Sequence, residues 1–189
     1  MREAGWYVVQ VQSGREEQVR RVIERACAEA DVTSDSDERL LDECFCPRYQ
    51  TQTKVRGEWC YVERSLLPGY VIAVTRQSER LAHLLRGVPE FTRLLTVGEA
   101  FVPLSVEERT WLEKFTKAGE RTIPMSFAYK KGDTLVVTEG PLKGMEGMIE
   151  RVNRKKSLAY VQMKVGGKRV TTTVGLGIVG EREGLALSG

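Results

Sequence analysis

The sequence has a single histidine, His83, and no second imidazole to share catalytic work. That leaves one possible base for Ser/His/Asp chemistry, with no nucleophile motif near it. The chain therefore reads as a non-enzyme with no cofactor. Its four cysteines are Cys27, Cys44, Cys46 and Cys60. Cys44, Cys46 and Cys60 with His83 would make four metal ligands, but the Cys-x₂₋₄-Cys pairs of structural zinc sites are missing. Neither G-x-x-x-x-G-K-[ST] nor G-x-G-x-x-G occurs, and the glycines from Gly140 to Gly144 lack the strand–helix context of a phosphate loop. No apolar run reaches the ~18 residues of a membrane span. The start, MREAGWYVVQV, alternates apolar with polar residues and does not resemble a signal peptide. The expectation is a cytoplasmic protein with reduced thiols and no membrane contact.

What the sequence does have is glycine in a telling place. Residues 132–165 read GDTLVVTEGPLKGMEGMIERVNRKKSLAYVQMKV. Thr134 to Thr138 is a β-branched strand. Gly140-Pro141-Leu142-Lys143-Gly144 demands an irregular loop, because glycine permits positive φ and proline fixes its own. Gly147 opens a strand over 148–152, Asn153 to Ser157 is a basic turn, and a third strand covers 158–165. Three strands in so short a span leave no room for helices. A small, sharply bent β-barrel of SH3-like type is the economical fold.

Ahead of it, strands and helices alternate. Trp6 to Gln12 is a strand covered on at least one face. A helix comes next over about 15–30, with Ser13 and Glu16 spaced as a capping box and Val19, Val22, Ile23, Ala26 and Cys27 on one face. Residues 31–38 form an acidic loop. Arg48 to Val55 and Trp59 to Arg64 pair as a hairpin across Arg56-Gly57-Glu58. Pro68-Gly69 bends the chain into a buried strand, Tyr70 to Val74. A helix over 78–86 buries Leu81, Leu84 and Leu85. Phe91 to Val97 is a strand or irregular apolar segment, and Val102 closes a last short strand. Ser105 and Glu108 cap a helix running to about Lys117 with Trp111, Leu112 and Phe115 inside. The fold class is α+β: an antiparallel sheet with packed helices, then the small barrel. Residues 1–117 form the first domain, 118–128 a linker and 129–189 the second.

Charge divides with the domains. Residues 1–128 carry 18 Lys and Arg against 20 Asp and Glu, whereas residues 129–189 carry 11 against 6. A basic small domain beside a slightly acidic one points to nucleic acid at the former.

The glycine pattern, with Gly132, Gly140, Pro141, Gly144, Gly147 and Ile149, resembles a KOW motif. WYVVQVQSGREEQV, LLPGYVIAV, RGVPEF and PLSVEE keep the order and spacing of a NusG N-terminal domain. The likeness covers nearly the whole chain, which resembles the NusG family of transcription elongation factors. The insert Lys54-Val55-Arg56-Gly57-Glu58-Trp59 is similar to the specialised LoaP branch, with the RfaH branch its neighbour. The resemblance implies a monomer whose first domain docks on bacterial RNA polymerase through an apolar surface. The positions here that match that surface are Tyr7, Leu67, Pro68, Gly69, Tyr70, Phe91 and Leu94; Leu66-Leu67 stands where many members have aromatics. It also implies that the KOW domain contacts a structured RNA hairpin in a nascent leader transcript, or a ribosomal protein. The basic residues that fit are Lys130, Lys131, Lys143, Arg151, Arg154, Lys155, Lys156, Lys168 and Arg169. Clustered cations without an aromatic platform suit a hairpin better than a single strand.

The expected activity is antitermination in selected operons. A general NusG-type factor recruiting a ribosomal protein or termination factor is the alternative, and a ribosome-associated KOW protein is a further one. Arg76, Arg80 and Arg86 are candidates for contact with non-template DNA. The refolding of the KOW domain into helices known for the RfaH branch is not expected. Its β-branched runs disfavour helix by about a few tenths of a kcal/mol per residue.

Overall fold

The computed structural model describes residues 3–34, 38–88, 93–94, 96–97, 100–101 and 103–179. Phe91 and Val102 lie outside the described residues. In chain order the elements are β1 (Gly5–Gln10), α1 (Glu16–Val32), β2 (Glu43–Phe45), β3 (Arg48–Val55), β4 (Glu58–Ser65), β5 (Tyr70–Thr75) and α2 (Ser78–Leu85). Next come β6 (Arg93–Leu94), β7 (Thr96–Val97), β8 (Ala100–Phe101), α3 (Val106–Phe115), β9 (Thr122–Ile123), β10 (Ser126–Lys131) and β11 (Thr134–Glu139). The last strands are β12 (Ile149–Asn153), β13 (Leu158–Val165) and β14 (Lys168–Val179). The class is α+β, as the alternation of patterns implied, with a β-rich C-terminal region.

Two compact units share the chain. The first comprises residues 1–48, 65–121 and 164–169; the second comprises 49–64, 122–163 and 170–189.

The first unit is built on a sheet of order β2-β5-β1-β6, antiparallel throughout. β1 and β5 pair without interruption from Gly5 opposite Thr75 to Gln10 opposite Tyr70. Alternation then sends Val9, Val71 and Ala73 to one face. There they meet Val19, Ile23 and Cys27 of α1 and Leu81, Ala82 and Leu85 of α2 in a continuous core. Trp6, Val8, Phe45 and Ile72 take the opposite face and are buried too. This two-sided burial explains why these strands read as nearly continuous apolar runs. Trp6 and Phe45 meet edge to face at 5.2 Å, and the Arg121 guanidinium lies 4.8 and 4.6 Å from their ring centres. Arg121 also forms a charge-paired fork with Glu43, which ties the chain beyond α3 to β2.

The second unit holds two sheets, β4-β3-β9 and β11-β10-β14-β13-β12. In the larger sheet β10 runs parallel to β14 and antiparallel to β11. Residues 118–128, read from the sequence as a linker, carry β9 and the first residues of β10, an inner strand of the larger sheet. Gly140 shows why the glycine loop is glycine. Its φ is +93°, and a Cβ there would stand 2.6 Å from the Ser126 Cα. The close approach lets the Ser126 hydroxyl accept from the Leu142 N–H at 3.1 Å and seats Leu142 in the interior.

Local details depart from the sequence reading at several points. α1 runs on to Val32, taking Asp31 and Val32 out of the expected acidic loop. The capping box at Ser13 and Glu16 does not form: α1 begins after Arg15 with no side-chain cap. Glu16 instead turns its carboxylate to the N–H groups of Gly14 and Gly69. Residues 146–148 make a 3-10 turn, so β12 starts at Ile149 rather than Met148. The box at Ser105 and Glu108 does form in both directions, as its spacing predicts, and its helix ends at Phe115 rather than about Lys117.

Gly140→Val should destabilise the full chain by at least about 2 kcal/mol, combining backbone strain with overpacking. Urea denaturation followed by circular dichroism measures it; an unchanged midpoint would contradict the close approach.

Candidate functional site

The bend between β4 and β5 is the first candidate surface. Leu66 and Leu67 are fully buried, Pro68 is exposed, Gly69 is buried and Tyr70 is half-buried. Leu67 thus anchors the bend from within, while Pro68 and Tyr70 face outward.

The bend is clamped from the chain's other end. Gly69 N–H donates to the Glu16 carboxylate at 2.6 Å, and Gly69 C=O accepts from the Val11 N–H at 2.9 Å. Tyr70 N–H closes the turn on the Leu67 carbonyl at 3.1 Å. Gly69 has a φ of +84°, and a Cβ there would come within 3.0 Å of the Ser13 hydroxyl. Partial burial pushes the Glu16 carboxyl upward, but the N–H groups of Gly69, Glu16 itself and Gly14 outweigh it, and the net shift is below the ordinary value.

Register separates residues that the resemblance grouped. Tyr7 stands opposite Ala73 and shares the helix-covered face with Val9, whereas Tyr70 stands opposite Gln10 and shares the other face with Val8 and Ile72. Tyr7 and Tyr70 therefore do not belong to one sheet face. The backbone of Leu94 pairs opposite Val9 on the far edge of β1. Of the arginines read as DNA contacts, Arg76 pairs with Asp42 at 2.9 Å, Arg80 bonds Gln77 and the Ala30 carbonyl, and Arg86 is exposed.

The second candidate surface is basic. Lys130, Lys131, Lys143, Arg151, Arg154, Lys155, Lys156, Lys168 and Arg169 are all exposed to solvent. Arg154–Lys156 forms a 3-10 turn between β12 and β13. The Asn153 side chain accepts from the Lys156 N–H at 3.1 Å, and Ser157 takes a left-handed conformation, φ +51°. Ser157 C=O accepts from Leu176 N–H, and Leu176 stands beside Ser126, on which the Gly140 loop packs. The turn and the Lys143 loop accordingly share one end of the sheet. Lys130 and Lys131 close β10 at its other end, about 15 Å of strand away. Lys168 and Arg169 fall in the first compact unit. Arg151 lies 4.1 Å from the centre of the Tyr160 ring, an aromatic partner that the sequence reading did not single out.

The thiols offer no comparable site. Burial pushes Cys27 and Cys46 up to about 12 and Cys44 well above its ordinary value, away from the thiolate character of reactive cysteines. Among the described residues no group of His, Cys, Asp and Glu could hold a metal ion, and no helix is long and apolar enough to cross a membrane.

The architecture defines a two-part α+β factor whose second part is a basic β domain of KOW type; the KOW motif profile matches residues 131–162. The family profile described as transcription termination factor NusG matches residues 4–113. The chain belongs to the NusG family and is a NusG-type transcription termination/antitermination factor. It is 28% identical over 167 residues to the transcription termination/antitermination protein NusG of Pseudomonas aeruginosa, covering 86% of this chain and 90% of that protein. The protein of the same name from Vibrio parahaemolyticus is 27% identical over 176 residues, covering 92% and 93%. The fold is similar to the Thermotoga maritima structure described as "Domain interaction in Thermotoga maritima NusG", with a TM-score of 0.54 and 20% identity over 93% of this chain and 94% of that one.

A carboxylate whose folded pKa is lowered adds stability above its unfolded value of 4.5 and loses it as pH falls through the folded pKa. Glu16→Gln should therefore be less stable than the native chain at pH 7, with the gap closing below about pH 4. Thermal melts across pH measure it; a gap that persists at low pH would show that the Glu16 charge does not hold the bend.

Proposed function

We propose that this chain is a specialised antitermination factor of the LoaP type. Residues 1–117 hold it on bacterial RNA polymerase, and the KOW domain, residues 129–189, takes a structured hairpin in a leader transcript. The observation that carries the reading is the Arg154–Lys156 turn. Three adjacent cations stand exposed on a backbone already fixed by the Asn153 cap. A turn ordered before binding loses little conformational freedom when it meets phosphates. Folded RNA presents phosphates and 2′-hydroxyls by shape, which such a turn can track. Lys143 at the same end of the sheet extends the contact.

On the polymerase side, Pro68 and Tyr70 are the outward groups of the clamped bend, with Gly69 shaping it and Leu67 supporting it from inside. Tyr7, Phe91 and Leu94 remain part of the proposed docking set by their match to the family surface. A general NusG role at most genes, through a ribosomal protein or a termination factor, is the competing reading.

Crosslinking the full chain to RNA in cells and sequencing the bound transcripts separates the two. Reads gathered on structured leaders of a few operons support the specialised reading; reads spread over most transcribed genes overturn it. In binding assays with a recovered leader hairpin, replacing Arg154, Lys155 and Lys156 together by alanine should reduce the log–log salt slope by about 2–3. Retention of core polymerase by the full chain should be lost with Tyr70→Ala combined with Pro68→Asp. Retention unchanged by that folded double variant would remove the bend from the docking surface.

A further inference from the structure

We infer that the open face of the β3–β4 hairpin is a binding platform for single-stranded nucleic acid. The two faces of this hairpin differ sharply. On one, Tyr49 and Thr51 are buried; the Tyr49 hydroxyl bonds Thr173 at 2.7 Å, and the Thr51 hydroxyl donates to the Ser157 carbonyl at 2.9 Å. The strand lies so close to β14 that a Cβ on Gly175 would stand 2.0 Å from the Gln50 carbonyl oxygen. This anchored face fixes the hairpin in the second unit.

The other face is open. Trp59 and Tyr61 are 50% and 55% exposed, values uncommon for such large rings. Arg56 and Gly57 form the two-residue turn, both with positive φ, a geometry that sets Lys54 across from Trp59 and Gln52 across from Tyr61. The Lys54 amine accordingly lies 5.2 Å from the centre of the Trp59 ring. Gln50 falls on the same face by alternation.

Alternate residues on a strand are about 6.8 Å apart. A nucleic-acid strand whose bases are spread beyond the ~3.4 Å of a duplex can lay one base on each ring. What surrounds the rings favours this ligand over an apolar protein surface. A protein-docking patch has an apolar centre, whereas these rings are bordered by the amides of Gln50 and Gln52 and the ammonium of Lys54. Amides can bond base edges, and Lys54 can leave its ring for a phosphate. By the same alternation Glu63 lies on this face beyond Tyr61; Lys54 balances its charge and Arg56 at the turn adds a cation, so the face does not repel a polyanion. The platform lies on the opposite face of the hairpin from Thr51, which meets the Arg154–Lys156 turn, and holds whether or not that turn reads a leader hairpin.

The test is fluorescence anisotropy of the full chain with labelled oligothymidine and oligouridine of about twelve nucleotides, beside a duplex control. Trp59→Ala and Tyr61→Ala should each weaken binding of the single strands by about fivefold or more, while Trp59→Phe keeps most of the affinity. Melting temperatures should stay unchanged, because both rings are exposed. The ratio of losses for the two oligomers identifies whether RNA or DNA is preferred. Failure of the native chain to bind either oligomer would overturn the inference. So would alanine variants that bind as well as the native chain, or that lose duplex and single-strand binding equally.

Discussion

The uninterrupted pairing of β1 with β5 is the constraint on which the N-terminal unit depends. Six residue pairs in fixed register decide which side chains face the helices and which face away. A slip of one residue would exchange the two sets, sending Val9, Val71 and Ala73 out of the helix core. Both faces are buried, so such a slip has no low-energy alternative. The same register carries the bend, because Tyr70 ends the pairing opposite Gln10 and the chain must turn immediately before it.

That turn is held by groups distant in sequence. The chain leaving β1 supplies the Val11 N–H and the Glu16 carboxylate, and the bend supplies both polar groups of Gly69. Glu16 sits at the first residue of α1, where backbone N–H groups gather and negative charge is favoured. One carboxylate thus ties the Gly14 turn ahead of the helix to the bend. The outward placement of Pro68 and Tyr70 rests on this arrangement and on Leu66 and Leu67 beneath it. The basic turn of the β domain obeys the same rule, its three cations depending on Asn153 and Ser157 rather than on one another.

Much of this was legible in the sequence. Near-continuous apolar runs located β1 and β5, alternation located the hairpin, Ser105 and Glu108 located the start of α3, and glycine spacing located the KOW segment. Each signal is local, and local energetics decided it. What short windows missed has a different origin. Ser13 and Glu16 have the spacing of a cap, but Gly69, 53 residues away, competes for the carboxylate and wins. Tyr7 and Tyr70 both match the family surface, but only the register reveals that they point to opposite faces. Leu67 could have faced either way until the depth of the bend was known. The exposure of Trp59 and Tyr61, and Tyr160 beneath Arg151, likewise depend on partners that no short window contains. Phe91 lies outside the described residues.

The hairpin has a consequence for how this chain can be taken apart. Its residues 49–64 belong with the β domain, while the segments on either side belong with the N-terminal unit. The backbone therefore crosses between units at the hairpin and around residues 164–169 as well as at residues 121–122. A graft made at the 121–122 junction, exchanging residues 122–189 alone, would leave the hairpin behind to meet a foreign partner. Tyr49, Thr51 and the backbone of Gln50 would have to find replacements for Thr173, Ser157 and Gly175. Exchange of C-terminal domains among relatives is thus restricted here to those that carry a matching hairpin, and the two parts of the chain are bound to change together.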